Sequence, residues 1–347
     1  MKNKVAYMEG AMHLYYDEWP MPEAGPGEVV VEVEYVGICG SDIHFFETGM
    51  IGPRNIVGKQ ILGHEAAGRV FQVGEGVSHL RVGDRVALEP GLACGECRYC
   101  KEGLYNLCPH VKFISSNPYQ GAMQKYMAHP AHLCFKLPDE VSTLEGALIE
   151  PLAVGLHAAN QAGVRLGQSV VILGAGCIGL TTLLAAKAMG ASSIIVTDLC
   201  ANRLAVAKRL GADTVIDPSK ENAVERILAL TNGEGADVVF ETAGSRATAA
   251  QTGSLARRAG TIMIVGNVFG ETPFNFHQIS CREVTVKTVF RYRNIYPLAI
   301  RAIRSGKIDV KSIASHIFPF DRIEEGLLKA MREKDTVVKA VIRVKEE

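Results

Sequence analysis

The chain has 347 residues, enough for roughly two domains with cores of their own. Its 37 lysines and arginines balance 37 aspartates and glutamates, and no basic stripe marks nucleic acid as a partner. No apolar run reaches the ~18 residues of a membrane span and no signal-peptide pattern opens the sequence, so no membrane partner and a cytoplasmic location are expected. Nine cysteines are an odd number for a disulfide framework, and a chain of this size does not need one. In a reducing compartment clustered cysteines point instead to metal.

The chain opens with short alternating β patterns such as Val29-Val-Val-Glu-Val-Glu-Tyr-Val36, punctuated by Pro20, Pro22, Gly25, Pro26 and Gly27. That pattern predicts a turn-rich, barrel-like β region, not a βαβ unit. Within it lie Cys39, Ser41, Asp42, His44 and Phe45, and farther on Gly63-His-Glu65. A thiolate, an imidazole and a carboxylate are ligand types that zinc accepts at ~2.0–2.3 Å, and three protein ligands leave one tetrahedral position open for chemistry. A lone cysteine or histidine is more often a buried thiol or a satisfied core imidazole. The set of Cys39, His64 and Glu65, with Asp42 and a four-cysteine lobe close by, favours a metal.

That lobe, Cys94, Cys97, Cys100 and Cys108, follows C-x2-C-x2-C-x7-C. Four thiolates so close in sequence can close a tetrahedral structural zinc site. Pro109 after the last cysteine invites an iron–sulfur reading, but the ferredoxin run has a shorter final spacing. A closed site cannot bind substrate, so its role is scaffolding. Next comes an apolar run holding Glu150 just before Pro151. A carboxylate there is costly to bury unless it is paired or metal-directed; otherwise it is an ordinary acid at a helix start.

Val170 to Leu173 then read as a strand buried on both faces, followed by Gly174-Ala-Gly-Cys-Ile-Gly179. The spacing is G-x-G-x-x-G: Gly174 for the tight turn, Gly176 for approach of a pyrophosphate, Gly179 for helix packing on the strand, with Ile178 between. A second strand, Ile194 to Thr197, ends in Asp198, where an acid meets the adenine ribose hydroxyls and favours NAD over NADP. Arg203 complicates that preference, because a nearby arginine can accommodate a 2′-phosphate. Strands recur at Thr214 to Ile216, Asp237 to Phe240, Thr261 to Val265 and Val284 to Thr288, with helices at Ala201 to Leu210 and Asn222 to Leu230. This alternation predicts a doubly wound parallel sheet with the glycine-turn strand at its centre. Val265-Gly-Asn267 and Val289-Phe-Arg291 end late strands, where the nicotinamide half belongs. A long helical stretch after Asn294 and a last strand, Val337 to Val344, are expected to rejoin the β domain.

These motifs, together with Glu150-Pro-Leu-Ala-Val-Gly-Leu-His157, Val196-Thr-Asp198 and Phe290-Arg-Tyr292, give the chain its resemblance to the zinc-containing medium-chain dehydrogenases, polyol branch (sorbitol, L-iditol and xylitol dehydrogenases). The motifs span nearly the whole chain in the family's order. The resemblance implies an α/β architecture: a GroES-like zinc-binding domain over 1–152, a Rossmann NAD-binding domain over 153–290 and a C-terminal return over 291–347. It implies a catalytic zinc on Cys39, His64 and Glu65, with Glu150 reaching the metal directly or through water, where simple alcohol dehydrogenases carry a cysteine. It implies that Ser41 and His44 relay a proton and that Glu150 acts as acid or base. Asp42 is expected to orient His64. Arg203 would lie along the adenine. Phe45, Glu150, Arg291 and Tyr292 would meet the substrate.

The implied reaction oxidises a secondary hydroxyl of a sugar alcohol to a ketose, with hydride passing to NAD. Rival readings are a zinc dehydrogenase of a simple alcohol, threonine or a sugar phosphate, and a nucleotide-binding relative without chemistry. A homo-oligomer, a dimer or tetramer, is implied as well. Two features depart from animal sorbitol dehydrogenases. Those lack the complete four-cysteine set, and they commonly carry a tyrosine where Phe45 stands.

Overall fold

The structure, a computed structural model, describes residues 2–51, 54–55 and 58–345. The chain divides into two compact units. The first holds Met1–Glu150, Tyr296–Ser305 and Ala314–Glu347; the second holds Pro151–Ile295 and Gly306–Ile313.

The first unit is built on strand Glu28–Gly37, a valine-rich run buried on nearly every residue. It pairs antiparallel with Glu65–Val73 on one side, and with Ala340–Arg343 and Tyr126–Pro130 on the other. Arg85–Leu88 and Cys134–Lys136 extend the sheet beyond Glu65–Val73, and His316–Pro319 extends it beyond Ala340–Arg343. Register shifts between Val30 and Val31 and between Val33 and Tyr35 bend the central strand. The resulting register sets Gly37 opposite both Glu65 and Val341. Val31, Val33, Val36, Phe46, Leu62 and Met123 fill the core beneath.

The last strand is shorter than its apolar run suggests, Ala340–Arg343 instead of Val337 to Val344. Ser315 explains the difference. Its Oγ accepts the Val338 and Lys339 N–H groups at 3.0 and 3.2 Å, and its N–H donates to the Lys339 carbonyl at 2.9 Å. Those backbone groups are thereby taken from the ladder.

The second unit is a six-stranded parallel sheet in the order Thr214–Ile216, Ser193–Thr197, Ser169–Leu173, Ala236–Glu241, Ala256–Ile264, Thr285–Thr288. The glycine-turn strand is interior, as its unbroken apolar run predicts. Helices Cys177–Ala188, Ala201–Leu210, Ala223–Leu230 and Arg246–Leu255 connect the strands. The Asn222 side chain caps the third of these by accepting the Val224 and Glu225 N–H groups. Gly211, at φ 108°, ends the second. The doubly wound sheet is the one anticipated from strand and helix alternation.

Candidate metal centre and nucleotide site

In the first unit Cys39 stands in extended conformation at the start of helix Gly40–Thr48. Asp42, wholly buried, fixes that end of the helix: its Oδ2 accepts the Cys39 N–H at 2.9 Å. Its Oδ1 accepts the Gly63 N–H at 3.1 Å and the Ser115 hydroxyl at 3.2 Å, and lies 3.6 Å from His64 Nδ1. One carboxylate thus ties together the two chain segments that carry Cys39 and His64, and leaves the other imidazole nitrogen for a ligand. Burial disfavours charge on both partners. The attraction between them outweighs it, so Asp42 is held below the usual carboxylate range. The charges of Asp42 and Cys39 likewise outweigh burial at His64 and raise its pKa well above the usual value.

Cys39, His64 and Glu65 offer ligand atoms that all lie within 4.8 Å of one another. The thiolate, imidazole and carboxylate donors so gathered are types that zinc accepts. Glu65 opens strand Glu65–Val73 and is 1% exposed. Its carboxylate occupies the space above Gly37, where any Cβ would overlap Glu65 Oε2. From the far side of Gly37 comes Lys339, 3% exposed, whose Nζ lies 2.6 Å from Glu65 Oε1 and donates to the Ile38 carbonyl at 2.9 Å. Reading the sequence missed Lys339. The available signal was a lone cation inside the apolar run Val337-Val-Lys-Ala-Val-Ile342.

Glu150, 7% exposed near the start of helix Ile149–Ala162, lies outside the three-residue set. Burial pushes the carboxyl of Glu89 up to about 7; the Tyr105 hydroxyl, donating at 2.8 Å, opposes the rise and the charge of Glu150 adds to it. Ser41, half-buried, and His44, exposed, lie three residues apart on helix Gly40–Thr48, on neighbouring positions of one face. Phe45 is buried.

The four cysteines of the lobe also converge. Sγ–Sγ separations of 3.5 Å for Cys97–Cys100, 3.6 Å for Cys108–Cys94 and 3.9 Å for Cys94–Cys100 match the ~3.8 Å edge of a tetrahedron with ~2.3 Å zinc–sulfur bonds. Backbone N–H groups of Cys97 and Glu96 pull the Cys94 thiol down to about 6, whereas burial pushes its neighbour Cys100 up to about 12. The residues fit a closed zinc site.

In the second unit Gly174 turns at φ 106°, and a Cβ there would lie 2.9 Å from the Ala243 nitrogen. A Cβ at Gly179 would overlap the Gly174 carbonyl, whereas Gly176 faces space bounded by Arg203 at 3.9 Å. Ile178 lies on the helix that Gly176 caps, Cys177–Ala188. Asp198 accepts the Ala175 N–H at 2.7 Å and the Cys200 N–H at 2.8 Å, one on each oxygen, so its carboxylate is fixed beside the glycine turn. The buried Nε of Arg203 has no hydrogen-bond partner among the described residues. Val265 and Gly266 both donate to the Glu241 carbonyl, and Val289 donates to that of Ile264. Asn267 abuts Gly244, Phe290 is exposed, Arg291 lies over the Phe290 ring at φ 53°, and Tyr292 is buried.

Comparison with known proteins agrees with both halves. Residues 25–139 match the alcohol dehydrogenase GroES-like domain, and residues 177–305 match the zinc-binding dehydrogenase family. The chain is 48% identical over 350 residues to the Escherichia coli K12 zinc-type alcohol dehydrogenase-like protein YdjJ, covering 100% of each. It is 39% identical to sorbitol dehydrogenase of Bacillus subtilis, covering 98% of this chain and 96% of the relative. A crystal structure of an Escherichia coli oxidoreductase/dehydrogenase of unknown specificity, ECK1772, superposes with a TM-score of 0.96 at 47% identity, covering 100% of both chains. With a GroES-like unit bearing two metal-ready clusters and a Rossmann unit bearing the glycine turn, the chain belongs to the zinc-dependent medium-chain dehydrogenases, in their polyol branch.

Proposed function

We propose that the protein is an NAD-dependent zinc polyol dehydrogenase, L-iditol 2-dehydrogenase-like, oxidising a secondary hydroxyl of a sugar alcohol of the sorbitol, L-iditol or xylitol type to a ketose. The observation that carries this reading is the convergence of Cys39, His64 and Glu65 within 4.8 Å, in a chain 39% identical to a sorbitol dehydrogenase. Zinc held by Cys39, His64 and Glu65 would supply Lewis acidity toward a hydroxyl, and a dinucleotide on the glycine turn would supply the hydride acceptor.

The chain's own residues do the rest. Asp42 holds the Cys39 and His64 segments in place through the bonds described above. Glu150 takes part in proton exchange as acid or base, and would reach a bound metal directly or through water. Ser41 and His44 pass the proton outward; the exposure of His44 supports that role. Phe45 offers an apolar wall, and Arg291 and Tyr292 hydrogen-bond the further hydroxyls of a polyol. In the second unit Gly174, Gly176 and Gly179 seat the pyrophosphate on the end of helix Cys177–Ala188. Asp198 receives the adenine ribose diol and repels a 2′-phosphate, which is why NAD is favoured over NADP.

The test is steady-state formation of reduced cofactor with sorbitol, xylitol, L-iditol and galactitol, using NAD and NADP in turn. Turnover of one or more polyols with NAD supports the reading. Activity confined to simple alcohols, threonine or sugar phosphates would replace the substrate class. A zinc-loaded protein silent with every alcohol would remove the catalytic reading altogether.

A further inference from the structure

Glu241 closes strand Ala236–Glu241 and is wholly buried. Its Oε1 accepts the Gly244 N–H at 2.9 Å and the Thr248 hydroxyl at 2.7 Å, both neutral donors. Its Oε2 has no hydrogen-bond partner among the described residues. The backbone carbonyl of the same residue accepts the Val265 and Gly266 N–H groups at 2.8 and 2.9 Å. One residue thus holds two loops, its side chain gripping 242–245 and its carbonyl gripping 265–267.

The two loops are in close contact where they meet. A Cβ on Gly266 would lie 2.6 Å from Glu241 Oε2 and 2.6 Å from the Gly244 Cα, and one on Gly244 would lie 3.1 Å from the Asn267 carbonyl oxygen. Both loops leave the carboxyl ends of adjacent parallel strands, the edge at which doubly wound sheets bind their ligands. A buried carboxylate with an orphaned oxygen is a poor choice for stability alone, since an apolar residue would remove the desolvation penalty. Departures of this kind from core rules are expected where function needs a fixed geometry.

We propose that Glu241 is a positioning residue for the nicotinamide half of the dinucleotide, its carboxylate holding loop 242–245 against loop 265–267, which its carbonyl holds, so that the two form one shelf beneath it. The proposal rests on the dinucleotide reading given above. The pyrophosphate turn has a separate anchor: Thr242 Oγ1 donates to the Leu173 and Gly174 carbonyls at 3.0 and 2.9 Å, and its N–H donates to Leu173 at 2.9 Å. Cutting the Glu241 side chain leaves the Thr242 bonds in place, so the adenine half is expected to keep its affinity.

The experiment is fluorescence titration of the zinc-loaded protein with NADH and, by competition, with AMP. Loss of a charge-assisted hydrogen bond predicts that Glu241→Ala weakens NADH by about tenfold while AMP stays within about twofold. Glu241→Gln retains an acceptor for Gly244 and is expected within about threefold of wild type for both ligands. NADH affinity unchanged in Glu241→Ala overturns the proposal, as does an equal loss for NADH and AMP or a Glu241→Gln variant as weak as the alanine. Should the alanine variant not fold, Thr248→Val decides, with NADH expected to weaken about threefold at constant AMP affinity; no change overturns the proposal. Wild-type protein that binds no nicotinamide dinucleotide overturns the cofactor reading and the proposal together.

Discussion

Lys339 and Glu65 form a buried ion pair, Nζ to Oε1 at 2.6 Å, across a glycine that leaves the space for it. The carboxylate that pairs with this ammonium is also one of the three groups gathered for zinc. In the absence of metal, Lys339 is the cation that compensates the buried charge. Replacing Lys339 with methionine therefore strands that charge, and breaking a buried pair from one side destabilises by roughly 3–5 kcal/mol. Denaturant unfolding of chelator-treated protein should show the loss. Added zinc should recover more stability in the variant than in wild type, because a divalent ion then compensates the carboxylate alone. Equal zinc effects in the two proteins would remove Glu65 from the ligand set.

Two metal-ready clusters predict about two zinc ions per chain. Cys39→Ala should lower the content to about one and abolish turnover, since an open site with two remaining ligands holds zinc weakly. Cys97→Ala should also leave about one ion, but with the lobe destabilised. Elemental analysis after gel filtration reads both. Full activity in Cys39→Ala would contradict the catalytic assignment.

On the proposed reading Asp198 sets the nucleotide preference, and its carboxylate accepts two backbone N–H groups. Asp198→Ala should lower kcat/KM for NAD and raise the NADP-to-NAD ratio by about tenfold or more, as the repulsion of a 2′-phosphate disappears. Arg203, which borders Gly176 and whose buried Nε has no hydrogen-bond partner among the described residues, is expected to assist NADP in that variant. A ratio unchanged from wild type would mean that discrimination lies elsewhere.

His129 is buried, with its Nε2 3.0 Å from the Glu89 carbonyl, and burial pulls its pKa down from 6.5 to about 4. The folded state therefore resists a proton that the unfolded state accepts below 6.5. Its stabilising contribution is full above that pH and is lost as pH falls towards about 4, at most roughly 3 kcal/mol. Glu89 works the other way. Its carboxyl, raised from 4.5 to about 7, contributes stability at low pH that is lost as pH rises towards about 7. His129→Gln keeps a donor for the Glu89 carbonyl and removes the titrating ring. Its unfolding free energy should fall less steeply than wild type between pH 6.5 and 4. Parallel curves would show that His129 titrates alike in both states.

The parts of the molecule that depend on local pattern were legible in the sequence. Helix Ala201–Leu210 has the bounds read from the sequence, and the four cysteines of the lobe converge as their spacing suggests. Asp198 lies beside the glycine turn because one βαβ unit fixes both. What stayed hidden depends on long-range register. Lys339 meets Glu65 only because strand Glu28–Gly37 pairs with partners from two distant stretches of chain. Glu241 reads as an ordinary strand-end acid until its carbonyl and carboxylate are seen to hold two loops. Ser315, which trims the last strand, gives no sign of that role in a linear reading.

Gly37 contributes no charge, no donor side chain and no metal ligand, yet its missing methyl is where a carboxylate rests. An alanine at this place would evict Glu65 by bulk alone, without altering a single titratable group nearby. Inheritance of the metal chemistry thus depends on a vacancy as much as on the ligands: a relative could keep every coordinating side chain and still be disarmed by one added carbon.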